Sequence, residues 1–180
     1  KWNPSKAKLP KHTHSLWMDS QCYFKFEPKA IVDHYLKDNK HTAIHHHTDL
    51  RSIYVEGMVT SYAYMNDKPS IVNRQLERYH ENGMPYQYDH FETGVLIRKN
   101  NKDSNEFSKE VYTELTTDSI RDQISTPYIV WNRREKGDKG ILTITESFTA
   151  HKGQLPLEKS KIFFTEPKPS DKLKEDLTKR

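Results

Sequence analysis

Cysteine is nearly absent: Cys22 is the single one in 180 residues. A lone thiol excludes an internal disulfide, and a reducing compartment, the cytoplasm, is the expected setting. No apolar run approaches the ~20 residues that cross a bilayer, and no signal peptide is legible, so a membrane span is not expected. No segment repeats. Charge of a single sign is also missing, because acids and bases alternate along the chain and leave a net charge of only +4. That excess suits a polyanionic partner such as a nucleotide phosphate without requiring nucleic acid, which stays open as an acceptor. What the chain does have is aromatic residues: 10 Tyr, 7 Phe and 3 Trp argue for a buried core and against disorder. The length fits one domain.

Residues 1–14 are basic and polar, while "SLWMD" and "CYFKF" read as strands around a polar break, Asp19-Ser20-Gln21. Pro28 opens a helix with Ile31, Val32, Tyr35 and Leu36 on one face. "HTAIHHH" is the next strand. Helical segments follow from Asp49 to about Met65, and from Pro69 to a stop at Asn82-Gly83. "FETGVLIRK" is a strand whose consecutive Val95, Leu96 and Ile97 predict burial on both faces. Phe107, Val111 and Leu115 predict an amphipathic helix capped by Ser104 or Asn105. "SIRDQISTPYIVWN" is a further helix, anchored by Ile120 and Ile124 and bent or broken at Pro127. "ILTITESF" alternates as a strand. The order of elements reads as α/β, with a domain over 1–155 and a charged tail over 156–180.

Several polar residues interrupt these elements. Asp19 falls where a strand ends, the position at which open α/β sheets bind ligands, and its carboxylate there suits Mg²⁺ or Mn²⁺ on a diphosphate. An ordinary Asp-Ser turn is the competing reading. Gln21 can point the same way as Asp19 in an extended chain. His45 and His47 share a strand face, a pattern open to metal, diphosphate or plain solvation. Arg51 is a natural fork for phosphate, or one half of a salt bridge at a helix start with Asp49 and Glu56. Gly94 permits close approach of a ligand or of another strand, with Glu92 near the start of its own strand. Arg121, Asp122 and Gln123 interrupt apolar sequence. An inward Asp122 could orient an acceptor hydroxyl, and a helix-start acid favoured by the dipole explains it equally well.

In order, "SLWMDSQ", "HHHTDLRSIYVEG", "RQLERYHENGMP", "FETGVLIRKN" and "SIRDQISTPYIVW" resemble the glycosyltransferase-like domain family that includes plant turgor-regulation and mucilage-related members. The resemblance spans residues 2–132. It implies a GT-A-like mixed α/β sheet flanked by helices, here without the N-terminal segment that family members carry ahead of Lys1. It also implies a nucleotide-sugar donor, a glycan or other hydroxyl acceptor, and Mn²⁺ or Mg²⁺. By the same resemblance Asp19 takes the first position of a D-x-D pair, and Gln21 replaces the second acid. Glu92, Thr93 and Gly94 line the acceptor and sugar pocket, and Asp122 and Gln123 lie near the donor sugar. His151 of "HKG" stands for the late histidine of the metal site. The expected activity is glycosyl transfer, with Asp122 or Glu92 as the group near the acceptor and Asp19, Gln21, Arg51, Thr93, Gly94 and Gln123 on the donor. A non-catalytic binding module on the same fold is the alternative. A metal-dependent phosphodiesterase using His45, His47 and Asp19 is a weaker one, because clustered carboxylates for two metals are missing.

Overall fold

The computed structural model describes residues 1–2, 10–19, 22–24, 27–47, 52–145, 149–150 and 163–165. In chain order the elements are β1 (His14–Met18), β2 (Cys22–Phe24), α1 (Pro28–Tyr35), β3 (Thr42–His46) and α2 (Ile53–Met58). A π-helical segment (Val59–Ala63) continues α2. Then come α3 (Pro69–Glu81), β4 (Phe91–Lys99), α4 (Lys102–Thr117), α5 (Asp122–Glu135), β5 (Ile141–Ile144), β6 (Thr149–Ala150) and β7 (Phe163–Thr165). The main sheet has the order β1-β4-β3-β5. β4 runs antiparallel to both of its neighbours, and β3 and β5 are parallel. A small second sheet, β2-β7-β6, recruits its central strand from the 156–180 segment.

The sheet separates two apolar layers. On one side α1 lays Ile31, Val32 and Tyr35 against Ala43, Val95, Ile97 and Ile144. On the other, Ile44 and Leu96 meet Val72, Leu76, Phe107, Val111 and Ile124. Val95, Leu96 and Ile97 therefore feed both layers, as three consecutive apolar residues of a covered strand must. α3 buries Val72, Gln75, Leu76 and Tyr79, the helical repeat of one face, and ends where Gly83 takes φ of +92°.

Three local expectations need correction. α4 starts one turn early: Asn101 is the cap and its side chain accepts the Ser104 N–H, so neither Ser104 nor Asn105 caps. Pro127 does not break α5. Proline has no N–H for the carbonyl four residues back, and His90 Nε2 takes that Gln123 carbonyl instead at 3.1 Å. Ile120 does not anchor α5; it precedes the helix and is 69 % exposed, and Ile124 alone is buried.

Candidate functional site

One end of the sheet collects most of the singled-out residues. There β1 and β3 finish and β4 begins. The β3–β4 register jumps from Ile44↔Leu96 to His45↔Glu92, so Thr93, Gly94 and Val95 have no register partner on β3. Such a bulge arches the strand and re-aims its side chains. Its consequence is that Thr93 reaches α5, while Val95 packs on the α1 side.

Asp19 lies directly across from Gly94, and its N–H donates to the Gly94 carbonyl at 2.8 Å. Its carboxylate folds over the glycine: a Cβ built there would stand 3.2 Å from Asp19 Oδ2. The approach that Gly94 was expected to permit is thus made by the neighbouring strand's carboxylate. Met18 and Val95, the preceding pair, join the α1 layer, so pleat alternation turns Asp19 to the opposite side, where α4 and α5 lie. The half-buried Asp19 carboxylate makes no hydrogen bond or ion pair with any described residue.

Asp122 is the first residue of α5, with Arg121 at the cap position. The inward reading and the helix-start reading are both realised, because the N-terminus of α5 itself points into the protein. Asp122 Oδ1 accepts from Thr93 Oγ1 at 2.8 Å. Its Oδ2 accepts from Trp2 Nε1 at 3.0 Å and pairs with Lys1 Nζ at 2.6 Å. Burial pushes this carboxyl up, yet the Lys1 ammonium and the Trp2 and Thr93 donors outweigh it and hold the group below the usual carboxylate range. A carboxylate so satisfied is a weak base and a firm anchor. Since Thr93 and Gly94 are consecutive, the bulge brings Asp19 and Asp122 to adjacent positions of one strand.

Glu92 Oε2 lies 3.1 Å from His45 Nδ1. His47 stacks on His90 with ring centroids 4.7 Å apart, and its N–H donates to the His90 carbonyl. His45 and His47 are both buried, not solvated. Gln123 sits half-buried in the first turn of α5, and its carbonyl is the one held by His90. Gln21, Arg51 and His151 lie outside the described residues. Among the described residues, no three His, Cys, Asp or Glu side chains gather to hold a metal ion. A cation here would therefore take Asp19 as its one described carboxylate ligand and complete its shell from diphosphate and water, a habit of Mg²⁺. A half-buried carboxylate over a bare glycine, with no polar partner among the described residues, fits that role.

Two site-shaping contacts are not foreseeable from local pattern. Trp2, in a segment read as polar, is only 5 % exposed, packs edge-on to Phe107 and bonds Asp122. Its signal was a lone large aromatic among polar residues. One reading of the sequence put Glu56 in a local salt bridge at a helix start. It is instead 2 % exposed and accepts from Arg121 Nε at 2.7 Å, clamping α2 to the start of α5.

The family model for the TOD1/MUCI70, glycosyltransferase-like domain matches residues 6–148. In structure the chain is similar to a glycosyltransferase involved in the glycosylation of the major capsid of the virus PBCV-1. The TM-score is 0.53 at 14 % identity, covering 98 % of this chain and 71 % of that one. It is also similar to the galactosyltransferase LgtC, solved with donor and acceptor sugar analogs. There the TM-score is 0.45 at 10 % identity, covering 93 % of this chain and 57 % of that one. No curated protein matches it in sequence. The fold is a GT-A-like mixed α/β sheet with flanking helices. Among the described residues, no helix is long and apolar enough to cross a membrane.

Proposed function

Because the chain belongs to the TOD1/MUCI70 glycosyltransferase-like domain family, we propose that it moves a sugar from a nucleotide-sugar donor to an acceptor hydroxyl with a divalent cation. The observation that carries this reading is the Asp19 carboxylate, half-buried, without a polar partner among the described residues and laid over Gly94 at the sheet end. When bound, Mn²⁺ or Mg²⁺ draws negative charge from the departing diphosphate. Asp19 holds that cation, with Gln21, Arg51 and His151 as further donor-side groups. Gln123 lines the side on which the donor sugar rests, Thr93 braces that wall from beneath through Asp122, and Gly94 leaves room over its backbone for the Asp19 carboxylate.

Asp122 acts as a positioning residue in this scheme. With its oxygens engaged by Thr93, Trp2 and Lys1, it fixes the bulge instead of taking a proton. In this scheme Glu92, 3.1 Å from His45 Nδ1, takes the acceptor's hydroxyl proton.

The test is release of nucleoside diphosphate from a panel of nucleotide sugars with Mn²⁺, using the whole chain. Asp19→Asn should lower turnover ~10²–10³-fold, the usual loss when one electrostatic stabiliser is removed. Its unliganded melting temperature should match wild type, since the Asp19 carboxylate has no polar partner to lose among the described residues. Gly94→Ala should also lower turnover, because the new methyl displaces the carboxylate. No release with any donor, together with no thermal shift by a nucleoside diphosphate and Mn²⁺, would sink the proposal.

A further inference from the structure

Arg121 stands at the start of α5, and the proposed reaction gives it no part. Its Nε donates to Glu56 Oε1 at 2.7 Å. The Glu56 carboxylate on α2 is buried, whereas the Arg121 side chain reaches the surface and is 33 % exposed. A guanidinium that serves only to pair a carboxylate commonly presents two parallel N–H bonds to it. Glu56 receives one, from Nε. The two terminal nitrogens, which carry the rest of the donors, make no hydrogen bond with any described residue.

The other described arginines behave differently. Arg74, Arg78, Arg98, Arg133 and Arg134 each place at least one terminal nitrogen on an oxygen of the fold. Among the described residues, Arg121 alone keeps its fork open. Its neighbour Asp122 cannot close it, because that carboxylate is engaged by Lys1, Trp2 and Thr93. The place matters as much as the vacancy of the donors. Thr93 ties the start of α5 to the bulge at Gly94, over which Asp19 lies. Arg121 precedes Asp122 in the chain, so its fork stands at the same end of the sheet as the proposed donor site.

We propose that Arg121 is a substrate-binding residue whose terminal nitrogens take a pair of oxygens on an anionic group of the substrate. That group is the donor's diphosphate or the carboxylate of an acidic sugar, and both match a guanidinium fork. Buried Glu56 holds Nε and so sets the plane of the fork before substrate arrives. A side chain fixed in advance loses less freedom on binding than a long, mobile one. A lysine in its place could still pair with Glu56 but would present no planar fork outward. Which substrate brings the anion rests on the glycosyl-transfer reading of the site; the open fork does not.

Isothermal titration of inorganic pyrophosphate and of glucuronate into the whole chain, with Mg²⁺ present and ionic strength fixed, tests the fork without requiring turnover. Wild type should bind at least one of the two. Arg121→Lys should bind that anion roughly tenfold or more weakly, the loss expected for a charge-assisted hydrogen bond. Its melting temperature should stay near wild type, because the ammonium still serves Glu56. A residue that only clamps α2 to α5 would show the reverse, a lower melting temperature and unchanged anion affinity. If Arg121→Lys melts early, Glu56→Gln replaces it: the guanidinium stays, its anchor weakens, and anion affinity should fall. Weakened pyrophosphate binding assigns the fork to the diphosphate, and weakened glucuronate binding assigns it to an acidic sugar. A wild type that binds neither anion overturns the proposal, as does a folded variant that binds like wild type. Release of nucleoside diphosphate from nucleotide sugars reads the glycosyl-transfer function separately. Release without any effect of Arg121 on anion binding sinks the fork alone, and anion binding through Arg121 without release from any donor sinks the glycosyl-transfer reading alone.

Discussion

Replacing Asp122 with alanine separates an anchor from a mere helix-start charge. The carboxylate serves three donors: Lys1 Nζ, Trp2 Nε1 and Thr93 Oγ1. Trp2 and Thr93 are 5 % and 4 % exposed, so water cannot take the place of the lost acceptor. Each buried donor left unmet costs ~1–3 kcal/mol. Breaking a buried ion pair by removing one partner typically costs ~3–5 kcal/mol. We expect Asp122→Ala to fall in that second range, and for a chain of this length that is a drop of about 6–20 °C in melting temperature. A helix-start charge alone would be worth ~0.3–1 kcal/mol, a drop of at most about 4 °C.

The pH dependence checks the cause. Folding lowers the Asp122 carboxyl below its ordinary value of 3.8, chiefly because the Lys1 ammonium stands beside it and outweighs burial. The unfolded chain therefore binds the proton more readily, and the ionised carboxylate's contribution is fully present above pH 3.8 and lost as pH falls through the lower folded value. The gap between wild type and Asp122→Ala should be widest near neutrality and narrow below pH 3.8. Thermal unfolding followed by circular dichroism across that range measures it. An alanine variant within about 2 °C of wild type at neutral pH would refute the anchoring argument.

Two other perturbations test packing away from the site. Gly140→Ala would place a Cβ 2.1 Å from Cδ2 of His41, a buried ring held by Thr42 and Asp138, and should cost ~1–3 kcal/mol as overpacking. Urea denaturation should show much of that cost relieved in a His41→Ala background, and no relief would mean the clash is not with the ring. In α5, Pro127→Ala restores an N–H that can serve the Gln123 carbonyl, so His90→Ala should cost about 1 kcal/mol less in that background. A double-mutant cycle with zero coupling would show that His90 does not stand in for the missing helical hydrogen bond.

Much of the architecture was legible in local pattern because burial repeats with the period of the element. The spacing of Ile31, Val32 and Tyr35 marks one face of α1, and the Val95-Leu96-Ile97 run marks a strand covered on both sides. Asp19 was identifiable as a charge at a strand's end, and Gly94 as a place of close approach. The errors fall where a distant group answers a local need. Pro127 reads as a breaker only while His90 is out of view. Ile120 reads as core, yet it lies ahead of α5 between Ser119, which bonds Asp67, and Arg121, which bonds Glu56, and is left exposed.

What the sequence by itself determined is which residues are apolar at which period, where helices can start and stop, and which polar groups sit among apolar ones. Those are properties of a few neighbouring residues and their backbone preferences. Tertiary structure decided the partners. The register jump that brings Thr93 to Asp122 and Gly94 under Asp19 depends on how β3 and β4 settle between two helical layers. The descent of Trp2 onto Asp122 joins residues 120 positions apart. The outward turn of Met58 and Tyr62 reverses what their hydrophobicity alone would dictate, and it goes with contacts made only in the folded chain: Gly57 against Val72 and Leu76 of α3, and Glu56 with Arg121. Such choices rest on the energies of pairs that the chain brings together only when it is folded.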